Sequence, residues 1–163
     1  MSTRDATDRF DAAAAGATSD KHARVLIVED NACDVEMILD ALKQHGVPSG
    51  IAVTRDGQEA LDFLFGNGAS PGRHASRLPR LVLLDLKMPR VGGHEVLRRI
   101  RSEACTKTIP VVVFTASLEE RDIAEAYELG ANSYIVKPYD FDKFSEALAA
   151  VSSYWLTLNQ PSH

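Results

Sequence analysis

The chain has 163 residues, of which 45% are hydrophobic and 25% are charged, a composition typical of one soluble globular domain with its own core. Its net charge of −5 argues against a general nucleic-acid binder, and no apolar run approaches the roughly 20 residues of a membrane-spanning helix. The cysteines, Cys33 and Cys105, stand in no metal or redox spacing, and the N-terminus lacks a signal-peptide pattern. We therefore expect a cytoplasmic protein that binds neither nucleic acid nor membrane.

After a loose N-terminal arm, predicted over residues 1–22, short apolar runs alternate five times with helical patterns. Most of the apolar runs are unbroken, which is typical of strands buried on both faces of a parallel sheet. Five such units predict a single doubly wound (βα)5 α/β domain over residues 23–158, followed by a tail at 159–163. The connection 66–79 is unusually long and is predicted to be an exposed functional or mobile loop. The predicted strands are 24–28, 50–54, 80–84, 110–115 and 133–137, and the predicted helices are 33–45, 57–65, 94–102, 119–129 and 140–158.

Polar residues end four of the predicted strands. Glu29 and Asp30 follow the first strand, Asp85 the third, Thr115 ends the fourth and Lys137 the fifth. Because ligands bind at the carboxyl ends of strands in an open α/β sheet, we expect three acids, a hydroxyl and a lysine to meet on one rim.

Simpler explanations exist for each of these residues. The acids after the first strand, or Asn31, can cap the following helix. Asp85 can form a structural ion pair with Lys137, and Thr115 can cap the helix that follows it. These alternatives remain open on the sequence, although the combination at successive strand ends favours a site.

The residue types on this rim match phosphoryl transfer to a carboxylate. Crowded carboxylates are tolerable around Mg²⁺, which favours one or two carboxylates, waters and a phosphate oxygen. A carboxylate can also act as a nucleophile and become an acyl phosphate, a reaction that needs in-line positioning and charge neutralisation. The metal, a lysine, and the Thr115 hydroxyl with the Ala116 backbone amide would each hold one phosphoryl oxygen. Asp85 is therefore predicted to be the phosphoacceptor.

The segments that carry these residues resemble the receiver domains of two-component response regulators. The resemblance covers residues 23–150 through "VLIVEDN", "LVLLDLKMPRVGGHEVL", "PVVVFTA" and "GANSYIVKP". It implies a flavodoxin-like strand order 2-1-3-4-5 and a phosphoacceptor that assists its own phosphorylation and dephosphorylation without being an enzyme. It also implies the site: Asp85 is phosphorylated, Asp30, Asp85 and the Lys87 carbonyl hold Mg²⁺, and Glu29 acts through a metal-bound water. Lys137 and Thr115 bind phosphoryl oxygens.

The same resemblance implies a switch. Tyr134 matches the aromatic that turns inward when the threonine moves toward phosphate, with a plain strand aromatic as the alternative. The Lys137–Pro138 peptide bond is expected to be cis. The side chain of Lys87 is expected to overhang the site and to alter hydrolysis of the acyl phosphate.

The last helix suggests a partner. Its apolar residues follow 3,4,3,4,3 spacing, and about nineteen residues span ~28 Å, whereas a five-residue strand spans only ~17 Å. The helix is therefore expected to overrun the sheet and to leave Trp155 and Leu158 without an internal partner.

Because the chain ends soon afterwards, its output is expected to be a partner protein, a phosphotransfer protein or a second copy. We favour a symmetric homodimer through the fourth helix, fifth strand and fifth helix, with Phe141, Trp155 and Leu158 in the interface. Folding back onto the N-terminal arm is the alternative. The seam is Phe141, Phe144, Leu148, Val151, Trp155 and Leu158.

Two peripheral features narrow the resemblance. The 66–79 loop and the ending "YWLTLNQP" are similar to stand-alone receivers that partner bacterial phytochrome histidine kinases, which implies a light-sensing kinase as phosphodonor. Three other readings remain. A haloacid-dehalogenase phosphatase would need a second acid where Lys87 stands, so it fits poorly. A phosphorylation-independent pseudo-receiver would act only as an interaction module. A relay carrier would pass its phosphoryl group to a histidine-containing phosphotransfer protein.

Overall fold

The structure, a computed structural model, describes residues 23–47, 49–66 and 77–162. The predicted N-terminal arm at 1–22 and most of the predicted loop at 66–79 lie outside the described residues. Within them, five strands alternate with five helices, and nearly every boundary falls within one residue of its predicted position. The strands are β1 Val25–Val28, β2 Ile51–Thr54, β3 Leu81–Leu84, β4 Val111–Thr115 and β5 Ser133–Val136. The helices are α1 Ala32–Gln44, α2 Gly57–Phe65, α3 Gly93–Ser102, α4 Glu120–Glu128 and α5 Phe141–Ser153, and α5 continues as a π-helical turn, Tyr154–Leu158.

The strands form one parallel sheet in the order β2-β1-β3-β4-β5. This confirms the predicted α/β fold class and the strand order that the resemblance implied. Strands β1, β3 and β4 are buried along their whole length, whereas β5, at the edge, is half-buried. The unbroken apolar runs in the sequence are thus explained by strands with a helical layer on each face.

Alternate residues of β1 and of β3 enter two separate cores. On β1, Leu26 and Val28 pack with residues of α2 and α3, whereas Val25 and Ile27 pack with residues of α1 and α5. This alternation follows from the two-residue period of a strand. The sheet is therefore clamped between two helical layers, and its carboxyl edge is held in a fixed arrangement.

The C-terminal end of α5 departs from the predicted seam. Phe144, Leu148 and Val151 are buried as predicted, but the next buried apolar residue is Leu156, five positions after Val151. A π-helical turn bonds residue i to i+5, and Asn159 N donates to Tyr154 O at 2.7 Å in that pattern. Regular 3,4 spacing could not reveal this turn, because it assumes an α-helix throughout.

The π turn corrects the prediction that Trp155 lacks an internal partner. Trp155 packs against the core cluster beneath α1 and α5, and its ring meets that of Tyr154 edge-on at 4.8 Å between centroids. Leu158 is 67% exposed, as the prediction required. Arg24 holds the turn from the other side, since its Nη2 donates to the Leu156 carbonyl at 3.3 Å. None of the helices in the described residues combines the length and apolar character needed to cross a bilayer.

Candidate functional site

The carboxyl ends of β1, β3, β4 and β5 bring together the residues predicted for the site. Glu29, Asp85 and Thr115 are buried, at 2%, 7% and 1% exposure, whereas Asp30 is exposed. One carboxylate oxygen from each of Glu29, Asp30 and Asp85 lies within 4.8 Å of the others. The predicted rim of acids therefore exists as a compact cluster.

The capping alternative for the first two acids is resolved by Asn31. The Asn31 side chain accepts a hydrogen bond from Asp34 N at 3.0 Å and caps α1. Glu29 Oε1 in turn accepts from Asn31 N at 3.1 Å, which fixes the Glu29 side chain against the start of the helix. Asp30 is therefore not the cap of this helix.

Lys137 reaches across the sheet from the end of β5. Its Nζ donates to Glu29 Oε2 at 2.7 Å and to Asp34 Oδ2 at 2.8 Å, and it lies 3.6 Å from Asp85 Oδ2. The side chain of Lys137 is only 9% exposed. The predicted ion pair with Asp85 is present but is the longest of the three contacts. Asp34 was missed by sequence reasoning, and its place in the first turn of α1, just beyond Glu29-Asp30, was the signal that could have found it.

The Lys137–Pro138 peptide bond is trans, so the expectation of a cis bond is wrong for this structure. An X–Pro bond prefers trans by about 0.5–1 kcal/mol in the absence of other constraints.

Charge in the site is unbalanced toward the negative. Burial raises the pKa of Glu29 to about 7, aided by the negative charge of Asp85 and opposed by the hydrogen bond from Lys137. Burial lowers the pKa of Lys137, but hydrogen bonds to Asp34 and Glu29 outweigh it and raise that pKa above its ordinary value. The carboxylates of Glu29, Asp34 and Asp85 lie within 3.6 Å of the Lys137 ammonium, and that of Asp30 lies beside Glu29 and Asp85. The cluster is therefore suited to a further cation.

The hydroxyl of Thr115 stands apart from this network. Thr115 Oγ1 is buried and has no hydrogen-bond partner among the described residues. The cap of α4 is Glu119, so the alternative role of Thr115 as a helix cap is excluded. A buried hydroxyl without a partner costs about 1–3 kcal/mol. Such a group calls for an explanation, and a ligand that supplies the partner is one.

The loop between β3 and α3 shapes the floor of the site. Asp85 Oδ1 accepts a hydrogen bond from Leu86 N at 2.8 Å, which orients the carboxylate. Gly93 passes so close to the Asp85 backbone that a Cβ there would lie 2.2 Å from the Asp85 carbonyl oxygen. Arg90, with a positive φ of 62°, donates to Asp56 Oδ2 at 2.6 Å, which ties the loop to the start of α2. The Asp85 carboxylate is therefore oriented by a backbone N–H, and the loop that follows it packs tightly against the Asp85 backbone.

A second network lies between this loop and α4. Lys87, 62% exposed at its side chain, pairs with Asp122 at 3.1 Å, and Asp122 Oδ2 also accepts from Ser117 Oγ at 2.5 Å. Tyr134 is half-buried, and its hydroxyl donates to the Ser117 carbonyl at 2.9 Å. Burial raises the pKa of Tyr134, so its hydroxyl stays a donor at neutral pH. Tyr134 is therefore bonded to the segment that follows Thr115.

Comparison with known proteins agrees with this arrangement. The family model described as "Response regulator receiver domain" matches residues 25–149. The probable methanogenesis regulatory protein FilR2 of Methanothrix harundinacea is 40% identical over 139 residues, which cover 83% of this chain and 85% of that protein. The response regulator Rcp1 of Synechocystis is 35% identical over 132 residues, covering 81% of this chain and 88% of Rcp1.

Solved structures give the same result. The phosphorylated cyanobacterial phytochrome response regulator RcpA matches with a TM-score of 0.76 and 35% identity, over 87% of this chain and 99% of RcpA. The Mn²⁺-bound form of Rcp1 matches with a TM-score of 0.74 and 32% identity, over 85% of this chain and 98% of Rcp1. Together with the sheet order and the acidic pocket, these matches show that the chain belongs to the response regulator receiver domain family.

Proposed function

We propose that the chain is a phosphoacceptor in a two-component signalling pathway and that Asp85 accepts the phosphoryl group of a histidine kinase. The observation that carries this proposal is a nearly buried Asp85 carboxylate, oriented by Leu86 N and clustered with two further acids and a lysine. In the reaction, an Asp85 oxygen forms a bond to phosphorus as the P–N bond of the phosphohistidine breaks. The bonding electron pair returns to the imidazole nitrogen, and Asp85 becomes an acyl phosphate.

Residues already on the rim would receive the phosphoryl oxygens. The Lys137 ammonium, 3.6 Å from Asp85 Oδ2, would take one oxygen. The unpartnered Thr115 hydroxyl and the Ala116 backbone amide would take another. Hydrogen bonds to a charged phosphoryl oxygen are stronger than neutral ones.

The acidic cluster fits a divalent cation. The carboxylates of Glu29, Asp30 and Asp85 offer oxygen ligands within 4.8 Å of one another, next to the single ammonium of Lys137. Oxygen ligands of this kind suit Mg²⁺, which would neutralise charge on the phosphoryl oxygens when bound. We assign Asp30, Asp85 and the Lys87 carbonyl as its ligands, with Glu29 acting through a bound water. The related Rcp1 has been solved in an Mn²⁺-bound form, which supports a metal at this position.

Phosphodonor and readout complete the proposal. The similarity to RcpA, a phytochrome response regulator, supports a phytochrome-type light-sensing kinase as phosphodonor. Tyr134, bonded to the loop after Thr115, would report the state of the site to α4, β5 and α5. An alternative is a pseudo-receiver that binds partners without phosphorylation.

A first experiment tests the acceptor. The protein is incubated with acetyl phosphate and Mg²⁺, and its intact mass is measured. Wild type is expected to gain one phosphoryl group and Asp85→Asn none, whereas Asp40→Asn, an exposed acid on α1, should behave like wild type. A folded wild type that gains no phosphoryl group would favour the pseudo-receiver.

A second experiment tests the donor and the destination. Phosphotransfer is followed from an autophosphorylated phytochrome kinase and, as a control, from a kinase without a light sensor. Faster transfer from the phytochrome, changing between red and far-red light, is expected. Equal rates from both kinases would contradict the phytochrome assignment. Rapid passage of the phosphoryl group from Asp85 to a histidine-containing phosphotransfer protein would instead identify a relay carrier.

A second copy of the chain is the proposed output partner. Tyr127 on α4, Tyr139 before α5 and Phe141 on α5 are at least half exposed, and they supply apolar area around the face that Tyr134 reaches. Because Trp155 is packed on its own core, we place Phe141 rather than Trp155 at the centre of this interface, with Leu158 at its margin. Size-exclusion chromatography with light scattering should show a dimer that Phe141→Ala weakens and Tyr154→Ala does not. A monomeric wild type, with and without phosphorylation, would exclude the dimer.

A further inference from the structure

Asp34 contacts the site but has no place in the reaction as proposed above. It lies in the first turn of α1, and its carboxylate Oδ2 is 2.8 Å from Lys137 Nζ, a residue 103 positions away in sequence. That distance is nearly the same as the 2.7 Å from Lys137 Nζ to Glu29 Oε2. Asp34 is therefore an equal partner of the lysine that faces Asp85.

A general preference for acids at helix starts does not account for this contact. An acid in the first turn of a helix is favoured by the helix dipole wherever its side chain points. Here the backbone N–H of Asp34 is already satisfied by Asn31, and its carboxylate turns to Lys137. The side chain of Asp34 is only 26% exposed, so it is partly withdrawn from water to make this contact.

The geometry of an ammonium group explains what the contact does. A lysine ammonium carries three N–H donors at the end of a flexible chain of four carbons. With Glu29 as its single anchor, the group would turn freely about one hydrogen bond. With Glu29 and Asp34 as two anchors on different elements, the direction of the third N–H is set. Asp85 Oδ2, at 3.6 Å, is the remaining acidic neighbour of the group and is too distant for a hydrogen bond.

We propose that Asp34 is a positioning residue that, together with Glu29, aims the third N–H of Lys137 at the phosphoryl group on Asp85. The gap between Lys137 and Asp85 is then the space into which a phosphoryl oxygen enters. This inference rests on the proposed function of Asp85 and adds a residue and a geometric role to it.

Substitutions at Asp34 separate hydrogen bonding from charge. Asp34→Asn keeps an oxygen acceptor but removes the charge, whereas Asp34→Ala and Asp34→Leu remove the acceptor and keep strong helix formers at that position. The initial rate of phosphoryl gain from acetyl phosphate is measured by intact mass over a range of Mg²⁺ concentrations up to saturation. We expect a loss of about tenfold in the Ala and Leu variants, as for losing one charged hydrogen bond that orients a reacting group, and less than about threefold in Asn. Glu36→Ala, an exposed acid on the same helix, is the matched control.

A second readout reports on the lysine without phosphorylation. Nitrogen-15 NMR of the lysine ammonium groups, with Lys137→Ala used for assignment, should show a protected Lys137 signal in wild type and in Asp34→Asn. That signal should be lost to exchange in Asp34→Ala and Asp34→Leu.

Four outcomes decide the proposal. If the Ala and Leu variants match wild type in rate and in the lysine signal, Asp34 does not position Lys137. If all three variants phosphorylate faster than wild type, Asp34 competes for the lysine by charge, and the proposal is overturned. If the loss of rate disappears as Mg²⁺ is raised, Asp34 acts through the metal, which also overturns it. If no variant gains a phosphoryl group but the lysine signal responds as expected, the function of Asp85 is wrong while the contact of Asp34 with Lys137 stands.

Discussion

Lys87 and Asp122 form a 3.1 Å ion pair that joins the loop after β3 to the first turn of α4. The two partners differ in burial, because the side chain of Lys87 is 62% exposed and that of Asp122 only 8%. Asp122 also accepts a hydrogen bond from Ser117. This bond, and to a smaller extent the bond from Lys87, lowers the pKa of Asp122 although burial raises it. The pair therefore links the loop after Asp85 to α4 through one carboxylate oxygen, Asp122 Oδ2, which also accepts from Ser117 Oγ.

The unequal burial of this pair predicts unequal effects of truncation. Asp122→Ala removes a buried acceptor of two hydrogen bonds and should lower the free energy of unfolding by about 1–3 kcal/mol. Lys87→Ala removes an exposed partner and should cost less than about 1 kcal/mol. Urea denaturation of the two variants measures the difference. Equal losses would mean that the ion pair, and not the Ser117 contact, carries the stability.

Loss of the Thr115 hydroxyl should not reduce stability but should reduce phosphorylation. Its Oγ1 has no partner among the described residues, so Thr115→Val removes an unsatisfied buried hydroxyl and should leave the free energy of unfolding unchanged or raise it by about 1 kcal/mol. The matched control is Thr106→Val, because Thr106 is equally buried but donates to the Ile100 carbonyl at 2.7 Å. That variant should lose about 1 kcal/mol.

The two variants should rank the other way in phosphorylation. Thr115→Val should retain less phosphoryl group from acetyl phosphate than wild type, and Thr106→Val should retain the same amount. Thermal denaturation and intact mass together check the prediction. A Thr115→Val protein that is clearly less stable would mean that the hydroxyl has a partner that the structure does not describe.

Two adjacent glycines should differ sharply in tolerance. A Cβ on Gly93 would lie 2.2 Å from the Asp85 carbonyl oxygen, whereas the nearest atom to a Cβ on Gly92 is the Leu86 carbonyl oxygen at 3.5 Å. Gly93→Ala must move the backbone of Asp85 and should cost about 2–3 kcal/mol. Gly92→Ala, whose glycine precedes the first turn of α3, should cost less than about 1 kcal/mol. Urea denaturation of both variants measures the contrast, and similar losses would show that the loop relaxes around Gly93.

The π turn after α5 predicts which leucine supports the core. Leu156 is 5% exposed and packs beneath α1 and α5, whereas Leu158 is 67% exposed. Leu156→Ala should lower the free energy of unfolding by about 2–5 kcal/mol, and Leu158→Ala should change it by less than about 0.5 kcal/mol. Chemical denaturation of the two variants tests the turn directly. If Leu158→Ala were the more destabilising variant, the helix would continue as a regular α-helix, as the 3,4 spacing predicts.

Asp56 should contribute a pH-dependent part of the stability. Its side chain accepts hydrogen bonds from Glu59 N at 2.8 Å and from Arg90. The bond from Glu59, and to a smaller extent the bond from Arg90, holds the pKa of Asp56 below the ordinary value of 3.8. An acid with a lowered pKa in the folded state stabilises the fold above its unfolded pKa and loses that effect as pH falls through the folded value. The stability difference between wild type and Asp56→Asn should therefore be largest near neutral pH and shrink below about pH 4. Urea denaturation at pH 7, 4 and 3 measures it, with Asp40→Asn as an exposed control. A difference that is constant with pH would show that the ionised form of Asp56 is not what stabilises α2.

The sequence predicted the parts of the fold that depend on burial. Runs such as Leu81–Leu84 are buried on both faces, so the apolar pattern alone identifies them as central strands. The site followed from the same logic, because a charged residue directly after such a run must lie at the edge of the sheet. The strand order came from the family resemblance and not from periodicity.

The features that escaped prediction depend on side-chain direction and helix geometry. Asp34 is one of several acids in α1, and its place in the first turn puts it near the site without showing that its carboxylate turns to Lys137. Because of the π turn, the buried residues Val151 and Leu156 are five positions apart. A search for apolar residues three or four positions apart does not select Leu156. The pairing of Lys87 with Asp122 joins residues 35 positions apart through the packing of α4, which no local pattern encodes.

The strand order also sets a sequence of events during synthesis. Strand β1 pairs on one side with β2 and on the other with β3, in the registers Val25–Ile51 and Val25–Leu81. A ribosome adding about 5–20 residues per second delivers β3 a few seconds after β2. Throughout that interval the apolar edge of β1 has its first partner and awaits its second. An unpaired edge of this kind is a template for association with other chains, so β1 is protected on that side only once β3 has emerged.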